Sequence, residues 1–428
     1  MGTKIPFAVR LFSLGLLLAL FVTVVGAQPA GEGDGPALAN PGVGLADCVN
    51  GLAGVYPCQN VDLLAQPDLA ATGGGIGKDI WGWTDPLDGA EYVIMTRSNG
   101  TSFFDLSDPT APVYLGNMPS TIGSSTWRDA KVFENYAYIV ADALVHGIQV
   151  FDLTRLRDVT SPPVTFTPDF LYEGIDNAHN IVINEDSGFA YAVGTDTCNG
   201  GLHMLDLSNP AEPVFAGCVS DDGYVHDAQC VNYQGDDPDY DGREVCFNAN
   251  EDTVTIVDVE DKGSPQQIAR IGYPQSAYVH QGWLTDDHNY YIQDDESDEL
   301  NFGVNTRTYV WDVRDLDNPA IIGLFEAETR STDHNLYVNG NWVYQANNSA
   351  GLRILDLGLV ATGQLVQTGY FDVFPSHDNA GFVGSWSVYP YFESGIVVVS
   401  SREFGLFVLQ PHLQPVQPAV YLPLVQRP

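Results

Sequence analysis

The sequence predicts an all-β fold: a seven-bladed β-propeller of four-stranded blades, closed by an N-terminal strand. Three observations carry this prediction. First, a short phrase (a glycine or polar residue, an apolar β-type run, then usually Asp) occurs seven times. It ends at Asp105, Asp152, Asp206, Asp258, Asp312, Asp356 and, with Gln in place of Asp, Gln410, at intervals of 47, 54, 52, 54, 44 and 54 residues. A period near fifty in strand-like sequence marks a propeller or a solenoid, and solenoid rungs are shorter and more uniform than these units. Second, a landmark pair recurs 22 to 32 residues before each phrase end: Trp81-Gly82, Arg128-Asp129, His179-Asn180, His226-Asp227, His280-Gln281, His334-Asn335 and Trp386-Ser387. Third, no sustained 3.6-residue apolar period follows the N-terminal apolar run, which argues against long helices.

Each landmark opens two β-rich runs separated by a polar turn, as in NIVINEDSGFAYAV (180–193) and NLYVNGNWVYQA (335–346), the signature of a hairpin. The Asp phrase supplies a third strand, and segments such as PVYLGNM (112–118) and AIIGLFE (320–326) supply a fourth. The last unit has no convincing fourth strand after Gln410, whereas NVDLLAQPDL (60–69) resembles one. Val61 to Gln66 is therefore expected to complete blade seven and to leave no large unpaired edge. The phrase Asp residues read as scaffold, because a carboxylate at a strand end caps the following turn.

Residues 1–27 read as a cleaved export signal: Lys4 and Arg10 precede an apolar run from Leu11 to Val25 and the small-residue site Val25-Gly26-Ala27. The run falls short of the ~20 residues that a spanning helix needs. Residues 28–46, rich in Gly, Pro and Ala, read as a flexible leader, residues 47–411 as the propeller, and residues 412–428 as a Pro-rich tail with a possible sorting or anchoring role. Losing residues 1–27 removes two positive charges and no negative ones, so the formal charge moves from −38 to −40. Such a charge repels phosphate backbones and anionic membrane surfaces and argues against nucleic acid as a partner. An extracellular protein, a glycan, a small molecule or a cation remains, and a monomer is expected. The six cysteines have no C-x-x-C spacing, and in an exported chain they are expected to pair in sequence as Cys48–Cys58, Cys198–Cys218 and Cys230–Cys246, one of fifteen possible connectivities.

Several long motifs then carry a resemblance. WRDAKVF (127–133), AHNIVIN (178–184), VHDAQC (225–230), VHQGWLTDDH (279–288), DHNLYV (333–338), GLRILDL (351–357) and GSWSVYPYFESG (384–395) together resemble the choice-of-anchor B family, whose members carry LVIVD-type propeller repeats. The resemblance spans roughly residues 45 to 410 and implies an exported propeller-like body, secreted or held at the cell surface by a variable C-terminal anchor. The tail shows neither an LPxTG sequence nor a spanning helix followed by basic residues.

For chemistry, His179, His226, His280 and His334 are expected to line one mouth of the central channel, with Arg128, Trp81 and Trp386 completing the circle. Imidazoles on adjacent blades can bind a transition metal or a polar ligand; the competing reading is that each holds its own blade together by hydrogen bonds. Calcium is a possible ligand of Asp294, Asp295 and Glu296, within an acidic run that reads first as a solvated loop, and of Asp237, Asp239 and Asp241. The latter reproduce a D-x-D-x-D-G opening, but position twelve is Asn248 rather than Glu. There is no G-x-S-x-G elbow, no H-E-x-x-H motif and no P-loop. The favoured function is a binding propeller of unknown ligand; the alternative is a metal-assisted hydrolase or lyase at the histidine-lined mouth.

Overall fold

The computed structural model describes residues 44–416. The expected export signal, the leader up to residue 43 and the tail from residue 417 lie outside the described residues. Within them the β-rich repeats form seven sheets whose inner strands lie side by side around a ring, that of blade seven against that of blade one. From the axis outward, blade one holds Gly77–Thr84, Glu91–Arg97, Gly100–Asp105 and Val113–Pro119. Blade two holds Arg128–Phe133, Tyr136–Ala141, Ile148–Asp152 and Phe170–Tyr172; blade three, Asn180–Asn184, Phe189–Val193, His203–Asp206 and Val214–Cys218. Blade four holds Asp227–Asn232, Glu244–Ala249, Val254–Asp258 and Gln266–Ile271; blade five, Val279–Leu284, Tyr290–Asp295, Arg307–Asp312 and Ala320–Glu326. Blade six holds Leu336–Asn339, Trp342–Asn347, Gly351–Asp356 and Val366–Phe371, extended by Tyr56–Gln59 and Leu52–Ala53. In blade seven, Ser385–Tyr389, Val397–Ser401 and Gly405–Pro411 come from the C-terminal side, and Val61–Ala65 pairs antiparallel with the last of these.

The phrase that revealed the repeat has a physical cause. In six blades the Asp carboxylate accepts from the backbone N–H two residues on: Ser107, Thr154, Ser208, Glu260, Arg314 and Gly358, at 2.6 to 3.1 Å. These are Asx turns that reverse the chain toward the outer strand. Just before the Asp, the third and fourth strands slip register at Phe103/Phe104, Met204/Leu205, Ile256/Val257, Val310/Trp311 and Ile354/Leu355. A bulge adds twist where a blade needs it. Opposite three of these bulges stand Gly116, Gly217 and Gly323. A Cβ there would lie 1.9 Å from Val164 O, 2.0 Å from Lys262 O and 1.8 Å from Gly363 O respectively, so only glycine admits the loop that follows on the neighbouring blade.

Between blades the sheets bury Val, Ile, Leu and aromatic side chains, with Trp311, Tyr138, Tyr191 and Tyr337 among the largest that are fully enclosed. Three disulfides join Cys48 to Cys58, Cys198 to Cys218 and Cys230 to Cys246. The last spans directly opposed residues of adjacent strands. The start of the tail packs on the propeller: His412 N–H donates to Asn60 O, Val416 N–H to Asp356 Oδ2, and His412 Nε2 lies 2.7 Å from Asp62 Oδ2. Among the described residues no helix is long and apolar enough to cross a membrane.

Candidate functional site

From blade two to blade seven each landmark stands at or beside the head of its inner strand, so equivalent landmarks meet around the axis. His179, His226, His280 and His334 form a continuous row, with successive ring centroids 4.3, 4.3 and 4.4 Å apart, and Trp386 continues it 4.8 Å from His334. All five are buried. The hydrogen bonds run between blades: His226 Nδ1 donates to His280 O at 2.9 Å, and His334 Nδ1 donates to Trp386 O at 2.5 Å. These imidazoles therefore tie a blade to its successor rather than holding their own. Such a bond fixes the tautomer, because a neutral ring with its N–H on Nδ1 carries a lone pair on Nε2. Burial, followed by neighbouring imidazoles, holds His226 and His280 well below the usual histidine range. Burial brings His334 down to about 3. His179 Nδ1 lies 3.2 Å from Asp142 Oδ2.

One member of the expected circle, Trp81, takes another place. Lys78, not Trp81, occupies the landmark position of blade one: Lys78-Asp79-Ile80 corresponds to His179-Asn180-Ile181, and Lys78 Nζ sits 4.2 Å from the Trp386 ring centroid. Trp81 lies three residues further along the strand; its aromatic character, shared with Trp386, suggests an equivalence that the strand register does not support. Arg128 does stand at the landmark of blade two, but its guanidinium donates to Ser120 Oγ at 2.9 Å and Gln149 Oε1 at 3.4 Å and lies 3.1 Å from His146 Nε2. Burial and the Arg97 charge lower its pKa.

Next along the strands comes a buried polar belt that the sequence reading did not single out. Lys131 Nζ pairs with Asp129 Oδ1 at 2.5 Å and Asp79 Oδ2 at 3.1 Å. Asp129 also accepts from Ile181 N–H, Gln281 donates to Asp227 Oδ2, and Gln281 Oε1 accepts from Leu336 N–H. Against the opposing effect of burial, the two carboxylates raise the Lys131 pKa, while burial pushes Asp227 up to about 6. The signal was present in the second residue of each landmark pair, which is polar or charged in every blade once Asp79 replaces Gly82.

Three positions beyond the landmarks, roughly 10 Å along the strands, the inner strands contribute to a cavity of about 310 Å³. Trp81, Trp283, Tyr389 and Tyr391 wall one part, Lys131 lines it, and Glu185 and Asp286 are exposed members of its lining. Both indoles also pack on Tyr337, with centroids at 5.4 and 4.9 Å. Aromatic walls with a few convergent polar groups are the usual make-up of a small-molecule pocket.

The acidic run of blade five is not a solvated loop. Asp294, Asp295, Glu296, Asp298 and Glu299 are all buried, as is Asp333 of the next blade. Asp294 and Asp295 end the second strand, a turn follows, and Asp298–Phe302 forms a short helix whose first two residues are buried. Asp295 is committed to structure, accepting from Ala277 N–H, Tyr278 N–H and Tyr273 Oη at 2.6 to 3.0 Å. Asp294 Oδ1 accepts from Gln281 N–H and lies 3.7 Å from His280 Nδ1. Glu296 Oε1 faces the histidine row, 3.5 Å from His334 Nε2 and 3.8 Å from His280 Nε2. The ligand atoms of His280, Glu296 and His334 all lie within 4.8 Å of one another. Burial raises Asp294 and Asp333 well above the usual carboxyl range; burial and then Asp295 push Asp298 up to about 7, and burial and then Asp298 push Glu299 up to about 10. In the second acidic segment, Asp237 is buried and groups with Asp315 and Asp317, whereas Asp239 and Asp241 are exposed and outside that group. Asp237 spends both oxygens on the backbone N–H groups of Asp239 and Leu316.

A family model described as the LVIVD repeat matches residues 177–221, which hold the histidine landmark, hairpin, Asp phrase and outer strand of blade three. No curated protein sequence matches the chain. Among solved structures, a chain of the Kuenenia stuttgartiensis hydrazine synthase is similar at 13% identity and a TM-score of 0.54, over 78% of this chain and 95% of that one. At that identity the likeness is one of fold. The chain is a seven-bladed β-propeller carrying an LVIVD repeat.

Proposed function

We propose that this chain is an exported or surface-displayed binding propeller whose ligands are taken on the axis. The single observation that carries the reading is the convergence of repeat-equivalent side chains: four imidazoles from successive blades stand in contact, while the corresponding places on the other blades hold Lys78, Arg128 and Trp386. An architectural ring would repeat one residue type; a binding site breaks the symmetry. The aromatic cavity further along the same strands supplies a place of small-molecule size. The N-terminal sequence and three disulfides support export.

Titrating the protein with a panel of small glycans and organic amines while following tryptophan fluorescence tests this reading. A saturable change is expected for at least one class, and Trp283→Ala should weaken it by about tenfold or more, the equivalent of one lost aromatic contact, in a variant that still unfolds in one cooperative transition. Binding that ignores Trp283→Ala would place the ligand off the axis. The metal-assisted hydrolase or lyase reading draws on the same histidines and Glu296; conversion of a bound ligand, seen by chromatography, would favour it.

A further inference from the structure

We infer that His280, His334 and Glu296 form a binding site for one divalent transition-metal ion, an inference that rests on the axial binding reading and names a ligand class for it. The mutual geometry of the three groups carries it. His334 spends its Nδ1–H on Trp386 O, so a neutral ring turns a lone pair from Nε2 toward Glu296 Oε1 at 3.5 Å. Two acceptors facing each other in a buried place repel, and a shared proton would draw them to about 2.7–2.9 Å, the length of a charge-assisted hydrogen bond. The second imidazole stands in the same relation: His280 Nε2 is 3.8 Å from the same oxygen. Its Nδ1 has no hydrogen-bond partner, although His280 is only 1% exposed.

Separations of 3.5 and 3.8 Å are close to those between neighbouring donors around an ion bound at about 2.0–2.1 Å. Two imidazole nitrogens and one carboxylate oxygen select zinc, iron, nickel or copper over calcium and magnesium, which take oxygen donors. The surroundings fit as well. A metal-ligating histidine usually gives its other N–H to a backbone carbonyl, as His334 does. Gln281 N–H fixes Asp294 Oδ1 at 3.7 Å from His280 Nδ1. The row's burial suits an ion better than an organic molecule.

The test uses the mature chain stripped with a chelator and titrated with Co²⁺, followed by visible absorption and then displaced with Zn²⁺. One Co²⁺ per chain is expected, with the ligand-field bands of nitrogen and oxygen coordination. Glu296→Gln, nearly isosteric, and His334→Ala should each weaken it by about 100-fold or more, while His412→Ala, at the start of the tail and away from the histidine row, should change it little. Unfolding midpoints recorded alongside show that the variants are folded. A wild-type chain that gives no saturable cobalt spectrum, or one indifferent to Glu296→Gln, overturns the site. Its failure is separable from that of the wider reading. Absent cobalt with retained ligand binding through Trp283 removes the metal site alone; cobalt uptake sensitive to Glu296, without any organic ligand, removes only the aromatic cavity's role.

Discussion

Lys131→Met should destabilise the propeller more than any other single substitution on the axis, by about 3–5 kcal/mol, the cost of breaking a buried ion pair by removing one partner. Lys131 is the cation between Asp79 and Asp129, at 3.1 and 2.5 Å, and its removal leaves two buried carboxylates facing each other. Its ammonium also lies 4.7 Å from the centroid of Trp81, so the cavity wall loses a cation–π contact as well. Denaturant unfolding of the variant reads the effect directly. The triple variant Lys131→Met, Asp79→Asn, Asp129→Asn should recover part of the loss, because it removes the orphaned charges. A variant as stable as the wild type would mean that the belt does not hold blades one, two and three together.

Stability should fall as pH rises from about 7 to 9 in the presence of a chelator. In that window the unfolded carboxyls have released their protons and the unfolded histidines are neutral, whereas the folded chain keeps the proton on Glu299, whose pKa burial raises from 4.5 to about 10. The folded state then binds more protons than the unfolded state, which gives a slope of about 1.4 kcal/mol per pH unit for each proton retained. The stabilisation is complete below the unfolded value of 4.5 and is lost as pH climbs through the folded one. Asp298, pushed to about 7, adds to the loss up to that pH. The depressed histidines act in the opposite sense, but only below their unfolded value near 6.5. Unfolding midpoints at several pH values check the slope, and Glu299→Gln should flatten it. A flat wild-type profile would show that Glu299 is ionised in the folded chain.

Much of the fold was legible because its cause is local. The phrase Asp residues are turn acceptors whose partners stand two residues away, and Val61–Ala65 reads as an outer strand from its likeness to the fourth strands of other blades. The candidate site was legible only where repeat equivalence is visible in residue type, as it is for the four histidines. Lys78 was hidden because only Arg128 among its counterparts is also cationic, and the indole of Trp81, three residues on, looked like that of Trp386. The acidic run was misleading for a different reason. Charge in sequence ordinarily means solvent, and nothing within Asp294–Glu299 announces that the strand end, the turn and the first two residues of the short helix are buried. Burial of that kind is a property of the closed ring, set by residues on other blades.

The measurement that bears most directly on the account is a crystal structure of the mature chain, loaded with Zn²⁺, soaked with the best ligand from the fluorescence panel and recorded at the zinc absorption edge. The account predicts an anomalous peak between His280, His334 and Glu296 and ligand density against Trp283 in the axial cavity. Zinc confined to surface carboxylates such as Asp239 and Asp241, with ligand density only at the outer edges of the blades, would contradict it.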